Sequence, residues 1–192
     1  SKIRKVYLSM DASKTLIKDI HIYQAVSRIS KPIADATHDI SKIAFYVLEV
    51  ESASGEIGQG YLLSFHYSPN AIEGALKDLR RFVLERDYRV YETAQIQKDY
   101  EIESEYFGIV GLQRWALATL NVALWDVWSR MNKQPIYRMF GCHRKPIPVY
   151  GSGGWVSYTD QELLEEVLDY KKRGFKAVKI KVGSGSIERD AE

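Results

Sequence analysis

The chain turns from strand to helix to strand between residues 147 and 183, and that alternation limits the fold more than any other feature. IPVYGSGG (147–154) is a short apolar run that ends in small residues. SYTDQELLEEVLDYKKRG (157–174) reads as an amphipathic helix, with Thr159 as N-cap and Gly174 as its stop. FKAVKIKVG (175–183) alternates Val178, Ile180 and Val182 as a strand does. Strands joined through a helix run parallel, because a tight hairpin cannot make that connection. This is one repeat of a parallel α/β sheet, and SIERDAE (186–192) begins the next helix.

Everything before the repeat has a different organisation. HIYQAVSRI (21–29) alternates loosely, and KPIADATHD (31–39) reads as a polar loop opened by Pro32. KIAFYVLEVES (42–52) is rich in β-formers and predicts a strand. SASGEIGQGYLLSF (52–65) predicts a hairpin turning at Gly55, with Gly58 and Gly60 supplying flexibility. The opening SKIRKVYLSMDASKTLIKD fits an extra strand or an arm. From Ser68 the period becomes helical. Ser68 as N-cap and Pro69 at the first helical position start a helix over 68–87, with Ile72, Ala75, Leu76, Leu79, Phe82 and Val83 on one face. A weaker helical pattern spans 93–107. The strongest helix, GLQRWALATLNVALWDVWSRMNK (111–133), carries Leu117, Leu120, Val122, Ala123, Leu124, Val127 and Trp128 and is expected to be buried on most sides. Trp115 and Trp125 are read as core with it, and Asp126 as structural, paired with a neighbouring basic residue. A linker rich in proline follows.

Within FKAVKIKVG, Lys179 and Lys181 share one face of the strand, with side-chain bases about 6–7 Å apart. Two ammonium groups at about 6 Å repel by about 2–3 kcal/mol at an effective dielectric near 20. That depresses one lysine by roughly two pKa units, and burial adds to the effect. A lysine tuned this way is a competent general base, and its charged neighbour can hold an anion. The bland alternative is an edge strand whose lysines extend into water. A parallel strand is ordinarily covered on both faces, so the pair is expected to point at something.

The run ALATLNVALWDVWSRMNKQPIYRMFGCHRKPIPVYGSGG and the strand GFKAVKIKVG, with the hairpin ESASGEIGQGY and the loop PIADATHD, resemble the enolase superfamily, mandelate racemase subgroup. The resemblance covers the chain from about residue 20 onward. It implies an α+β capping domain (1–132), a linker (133–146) and the start of a (β/α)7β TIM-like barrel (147–192), truncated after the second barrel strand. It also implies a reaction in which magnesium binds a substrate carboxylate and a base removes the α-proton. By position, Lys181 is the base, Lys179 holds the carboxylate and Ser152 donates a hydroxyl to it. Asp35, Thr37 and His38 in one capping loop, and Tyr61 in the other, are expected to contact a hydroxylated acid sugar. The metal-binding carboxylates and any second acid or base are expected beyond residue 192, so no metal ligand is assigned and the segment alone is expected to be inactive. Acid-sugar dehydration is the leading reaction, with racemisation, epimerisation and cycloisomerisation open beside it.

Composition excludes several other classes. Lys and Arg number 27 against 25 Asp and Glu, which leaves no electrostatic footprint for nucleic acid. A single cysteine, Cys142, fits a reducing compartment, and no secretory leader or membrane span is read, so a cytoplasmic protein is expected. A homo-oligomer is expected. His21, His38, His66 and His143 show no metal-ligand spacing. GSGGW and GSGS match neither phosphate-binding glycine pattern. Two other classes stay open: a non-catalytic fragment with a binding or oligomerisation role, and a Schiff-base lysine enzyme.

Overall fold

The alternation in residues 42–52 becomes the central strand of the first unit. The computed structural model describes residues 11–191, and the first ten residues of the opening segment lie outside the described residues. Strand β1 runs Ile17–Ala34, β2 Asp39–Ser52 and β3 Ile57–Leu63, forming a sheet of that order. β1 thus continues through the stretch read as a loop opened by Pro32, and only residues 35–38 turn the chain. Ala44, Tyr46, Leu48 and Val50 face inward from β2. Antiparallel register sets Leu48 opposite Gly60 and Val50 opposite Gly58.

Those glycines do not serve hairpin flexibility, as the sequence suggested. Helix α3 (Leu112–Met131) lies across β3, and a methyl group on Gly58 would strike Val127 N and Ala123 O. One on Gly60 would strike the Thr119 carbonyl. The strand is bare so that the helix backbone can sit on it. Gly55 does make the turn, at φ +83°. Asp126 anchors the same interface, accepting the Gln59 N–H at 2.9 Å and pairing with Arg130 at 3.0 Å.

Helix α1 (Pro69–Leu84) buries all six predicted residues, and α2 (Thr93–Glu103) adds Ile96 and Tyr100. Ser68 precedes α1 in a left-handed conformation and makes no side-chain cap, contrary to its expected role. On α3, Trp128 is buried, but Trp115 and Val122 are 51% and 53% exposed. They fall seven residues apart, two helical turns along the face turned from the core, which local hydrophobicity does not distinguish. The linker contains a one-turn helix, α4 (Ile136–Met139). Tyr88 donates to Asp99 at 2.7 Å, and burial followed by that bond pushes its pKa up to about 12.

The second unit comprises Ser27–Ile43 and the chain from Arg144 onward, so the tip of the β1–β2 hairpin groups with the C-terminal repeat. Its elements are β4 (Gly151–Ser152), α5 (Asp160–Lys172), β5 (Val178–Lys179) and α6 (Ile187–Ala191). β4 and β5 pair in parallel, Ser152 beside Lys179. Thr159 and Glu162 close a reciprocal capping box, and Gly174 ends the helix at φ +87°. The strands are much shorter than the apolar runs predict. Val178, Ile180 and Val182 are 41%, 47% and 59% exposed, and no residue of α5 is buried. The expected cover on both faces is not found among the described residues, and a two-strand ladder does not make a barrel evident. No helix among them is long and apolar enough to cross a membrane.

Gly58→Ala is expected to destabilise the first unit by about 2–4 kcal/mol, because helix backbone cannot yield as a side chain can. Gly74→Ala, in α1 with open space around it, is expected to stabilise by about 0.5–1 kcal/mol. Denaturant midpoints measure both, and a neutral Gly58→Ala would refute the close seating of α3. Tyr88 also stabilises below its unfolded pKa near 10, and that contribution is lost as pH rises towards about 12. Tyr88→Phe should remove this alkaline loss, read from unfolding curves across that range.

Candidate functional site

The GSGG run shapes the end of β4 by admitting its neighbours. The Tyr170 ring occupies the space a Gly151 side chain would need, the Glu166 carboxylate that of Gly153, and Ile180 that of Gly154. Gly154 also has φ +59°. Its N–H donates to Glu166 Oε2 at 2.6 Å, while Gly153 N–H donates to the Lys179 carbonyl at 3.2 Å. Lys181 N–H donates to the Gly154 carbonyl at 2.8 Å, extending the contact between the two chain segments past the ladder.

This framework brings Ser152, Lys179 and Lys181 together on adjacent segments. Ser152 and Lys179 are exposed register partners. Lys181 is half-buried, and its Nζ donates to the Gly153 carbonyl at 2.9 Å and lies 4.0 Å from the centroid of the Trp155 ring. Burial holds the Lys181 ammonium below the usual lysine range, with Lys179 adding to the effect and Glu166 and Asp35 opposing it. The sequence reading named the lysines but neither Trp155 nor Glu166, which the structure brings to the same strand ends. The only local signal for Trp155 is its place directly after the glycines. Nothing in the sequence marks Glu166, which acts from α5.

Asp35, Thr37 and His38 also come together. The Asp35 carboxylate accepts both backbone N–H groups of Thr37 and His38 at 2.9 Å and contacts His38 Nδ1 at 3.0 Å. The Thr37 backbone bond is the largest cause holding the Asp35 pKa below the usual carboxylate value. This loop, with Val156, Gly183 and Ser184, lines a cleft of about 380 Å³ that is mostly polar; neither lysine is in its lining. The hairpin tip is tied to the repeat by Val156 N–H on the Ala34 carbonyl at 3.0 Å and by an ion pair of Lys31 with Glu162. Lys31 also lies 5.0 Å from the Tyr158 ring centroid. Tyr61 belongs to the first unit, exposed on β3 with its ring edge against Phe45, and lines a shallow apolar groove with Trp115 and Val122.

No group of three or more His, Cys, Asp or Glu side chains among the described residues is arranged to hold a metal ion. The magnesium implied by the sequence resemblance has no ligand set among the described residues.

Residues 17–141 match the family described as mandelate racemase / muconate lactonizing enzyme, N-terminal domain. The arabinonate dehydratase of Saccharolobus solfataricus is 29% identical over 188 residues, covering 92% of this chain and 48% of that protein. The 3,6-anhydro-alpha-L-galactonate cycloisomerase of Streptomyces coelicolor is 26% identical over 165 residues, covering 83% and 44%. The crystal structure of L-talarate/galactarate dehydratase from Salmonella typhimurium LT2, liganded with Mg and L-lyxarohydroxamate, superposes with a TM-score of 0.83 at 20% identity, over 92% of this chain and 46% of that one. The chain spans less than half the length of these relatives.

The Lys31–Glu162 pair generates a pH prediction. The Lys31 bond, then the Thr159 cap, lower the Glu162 pKa from 4.5 to about 2. The carboxylate's stabilising contribution is complete above pH about 4.5 and lost as pH falls towards about 2. A carboxyl NMR titration should place Glu162 at the bottom of the acidic range and move it upward in Lys31→Met. An ordinary value in the unaltered protein would show that the pair does not form in solution.

Proposed function

We infer the function from one premise, that the chain belongs to the mandelate racemase / muconate lactonizing enzyme family. In this reading it is the capping portion and first barrel repeat of an enzyme that removes the proton α to a carboxylate. The reaction is dehydration of a hydroxylated acid sugar. Capping domain, linker and barrel start follow the boundaries 1–132, 133–146 and 147–192.

The observation that carries the reading is the half-buried Lys181 ammonium beside Ser152 and Lys179 at the end of a parallel strand pair. A carboxylate placed there would pair with the Lys179 ammonium and accept from the Ser152 hydroxyl. Its α-carbon would then face Lys181, which in its neutral form takes the proton. Loss of a β-hydroxyl completes dehydration and calls for an acid that no residue described here supplies. Asp35, Thr37 and His38 would recognise the hydroxyls of the substrate. The exposed polar groups of the loop suit such a ligand better than an aromatic one. Magnesium, when bound by the complete enzyme, would polarise the carboxylate and stabilise the charge left by the departing proton. Return of the proton to the opposite face would instead give an epimerase, and ring formation or opening a cycloisomerase.

Intact mass, measured on the isolated protein, comes first: the reading expects roughly twice 22.1 kDa, from the share of its relatives that this chain spans. A mass of 22.1 kDa would favour a non-catalytic fragment with a binding role. In the intact protein, solvent deuterium exchange at the α-carbon of acid sugars should require a divalent metal and stop on chelation. Lys181→Ala should lower exchange by about 10³-fold. Exchange at the unaltered rate would remove Lys181 as the base. Ser152→Ala should chiefly raise KM.

A further inference from the structure

We propose that Trp155 is a positioning residue for Lys181: its indole face and the Gly153 carbonyl together hold the ammonium at the end of the β4–β5 pair. The geometry is a ring centroid 4.0 Å from Nζ and a hydrogen bond of 2.9 Å from Nζ to the carbonyl. Both partners come from the same three-residue stretch, Gly153 to Trp155, so they form one cradle. The cradle is itself braced. Glu166 on α5 takes the Gly154 N–H, and the Gly153 N–H is tied back to Lys179. Gly154 stands in the left-handed region with Ile180 packed against its α-carbon, which fixes the direction in which the chain delivers Trp155.

An aromatic face attracts an ammonium through its quadrupole and has no such attraction for a neutral amine. Trp155 therefore favours the charged Lys181 and sets where it rests. The other groups that face Lys181 are Lys179 on β5, which disfavours the charge, and Glu166 on α5 and Asp35 on the β1–β2 loop, which favour it. None of them lies on the stretch that carries the indole, so the ring's contribution can be varied separately from theirs. The placement rests on geometry alone. Its catalytic consequence rests on the reading of Lys181 as the base.

The test measures the ionisation of Lys181 directly in the intact protein, by the pH dependence of its acetylation with acetic anhydride, read on the peptide by mass spectrometry. Trp155→Leu keeps apolar bulk and removes the π face, and the apparent Lys181 pKa should fall by about 0.5–1.5 units. Trp155→Phe keeps a smaller, weaker face and should fall by less. An unchanged or raised value in the leucine variant, or equal falls in both, would overturn the proposal. Should the leucine variant not fold, the phenylalanine variant decides: a small fall supports the cradle, and none or a rise overturns it. The pH profile of α-proton exchange supplies the second arm. A labelling shift with an unmoved exchange profile would support the cradle and overturn Lys181 as base, so the two readings fail separately.

Discussion

A helix backbone can approach a strand closely only where the strand carries no side chains, and the first unit is organised around that requirement. Gly58 and Gly60 occupy the inward positions of β3, opposite Val50 and Leu48 on β2. α3 fills the space above them with its own backbone at Thr119, Ala123 and Val127. Distance is thereby set, and Asp126 sets register, since its carboxylate reaches the Gln59 N–H that lies between the two glycines. Leu120, Leu124 and Trp128 are buried once the helix is seated, and α1 and α2 pack against it in turn. Were the glycines replaced by ordinary β-formers, α3 would stand off and the layer of side chains beneath α1 would lose its closest support.

The glycines of the second unit answer to a similar physical demand with a different result. At β4 the neighbours are side chains: a tyrosine ring, a carboxylate and an isoleucine each occupy a volume that a β-carbon would need. A glycine run of this kind invites a phosphate-loop reading although it matches neither phosphate-binding pattern. Here its N–H groups at Gly153 and Gly154 are committed to the Lys179 carbonyl and to Glu166, so they are not free to cradle an anion. The run serves instead to aim Lys181 and Trp155 from a very short ladder.

Periodicity made most of this legible. The α1 face, the apolar run of α3, the N-cap at Thr159 and the stop at Gly174 are local patterns, and local patterns are what a sequence exposes. The lysine pair was legible for the same reason, two residues of like charge on one strand face. What the sequence concealed depends on partners remote along the chain. Gly58 and Gly60 read as a source of hairpin flexibility because α3, which needs them bare, lies more than fifty residues away. Trp115 and Val122 read as core because hydrophobicity does not say which helix face meets the sheet. Lys31 and Glu162 are separated by 131 positions, and neither is unusual in its own context. Glu166 is one of several acidic residues on its amphipathic helix, and only the fold brings the Gly154 N–H to it.

The electrostatics of Lys181 decide which part of its tuning survives binding. At neutral pH an ordinary lysine is unprotonated in roughly one molecule in a few thousand, and each unit of pKa depression raises that fraction tenfold. Burial is the largest cause of depression at Lys181 and repulsion from Lys179 the second. An anion seated on Lys179 would cancel much of that repulsion, because the two charges then present to Lys181 a nearly neutral pair. The same anion would displace water from around Nζ, and so strengthen the part due to burial. A base tuned chiefly by its neighbour's charge would lose its tuning on binding the substrate it is meant to deprotonate. A base tuned chiefly by desolvation would keep it, and in the proposed reading the half-buried Lys181 amine is of the second kind.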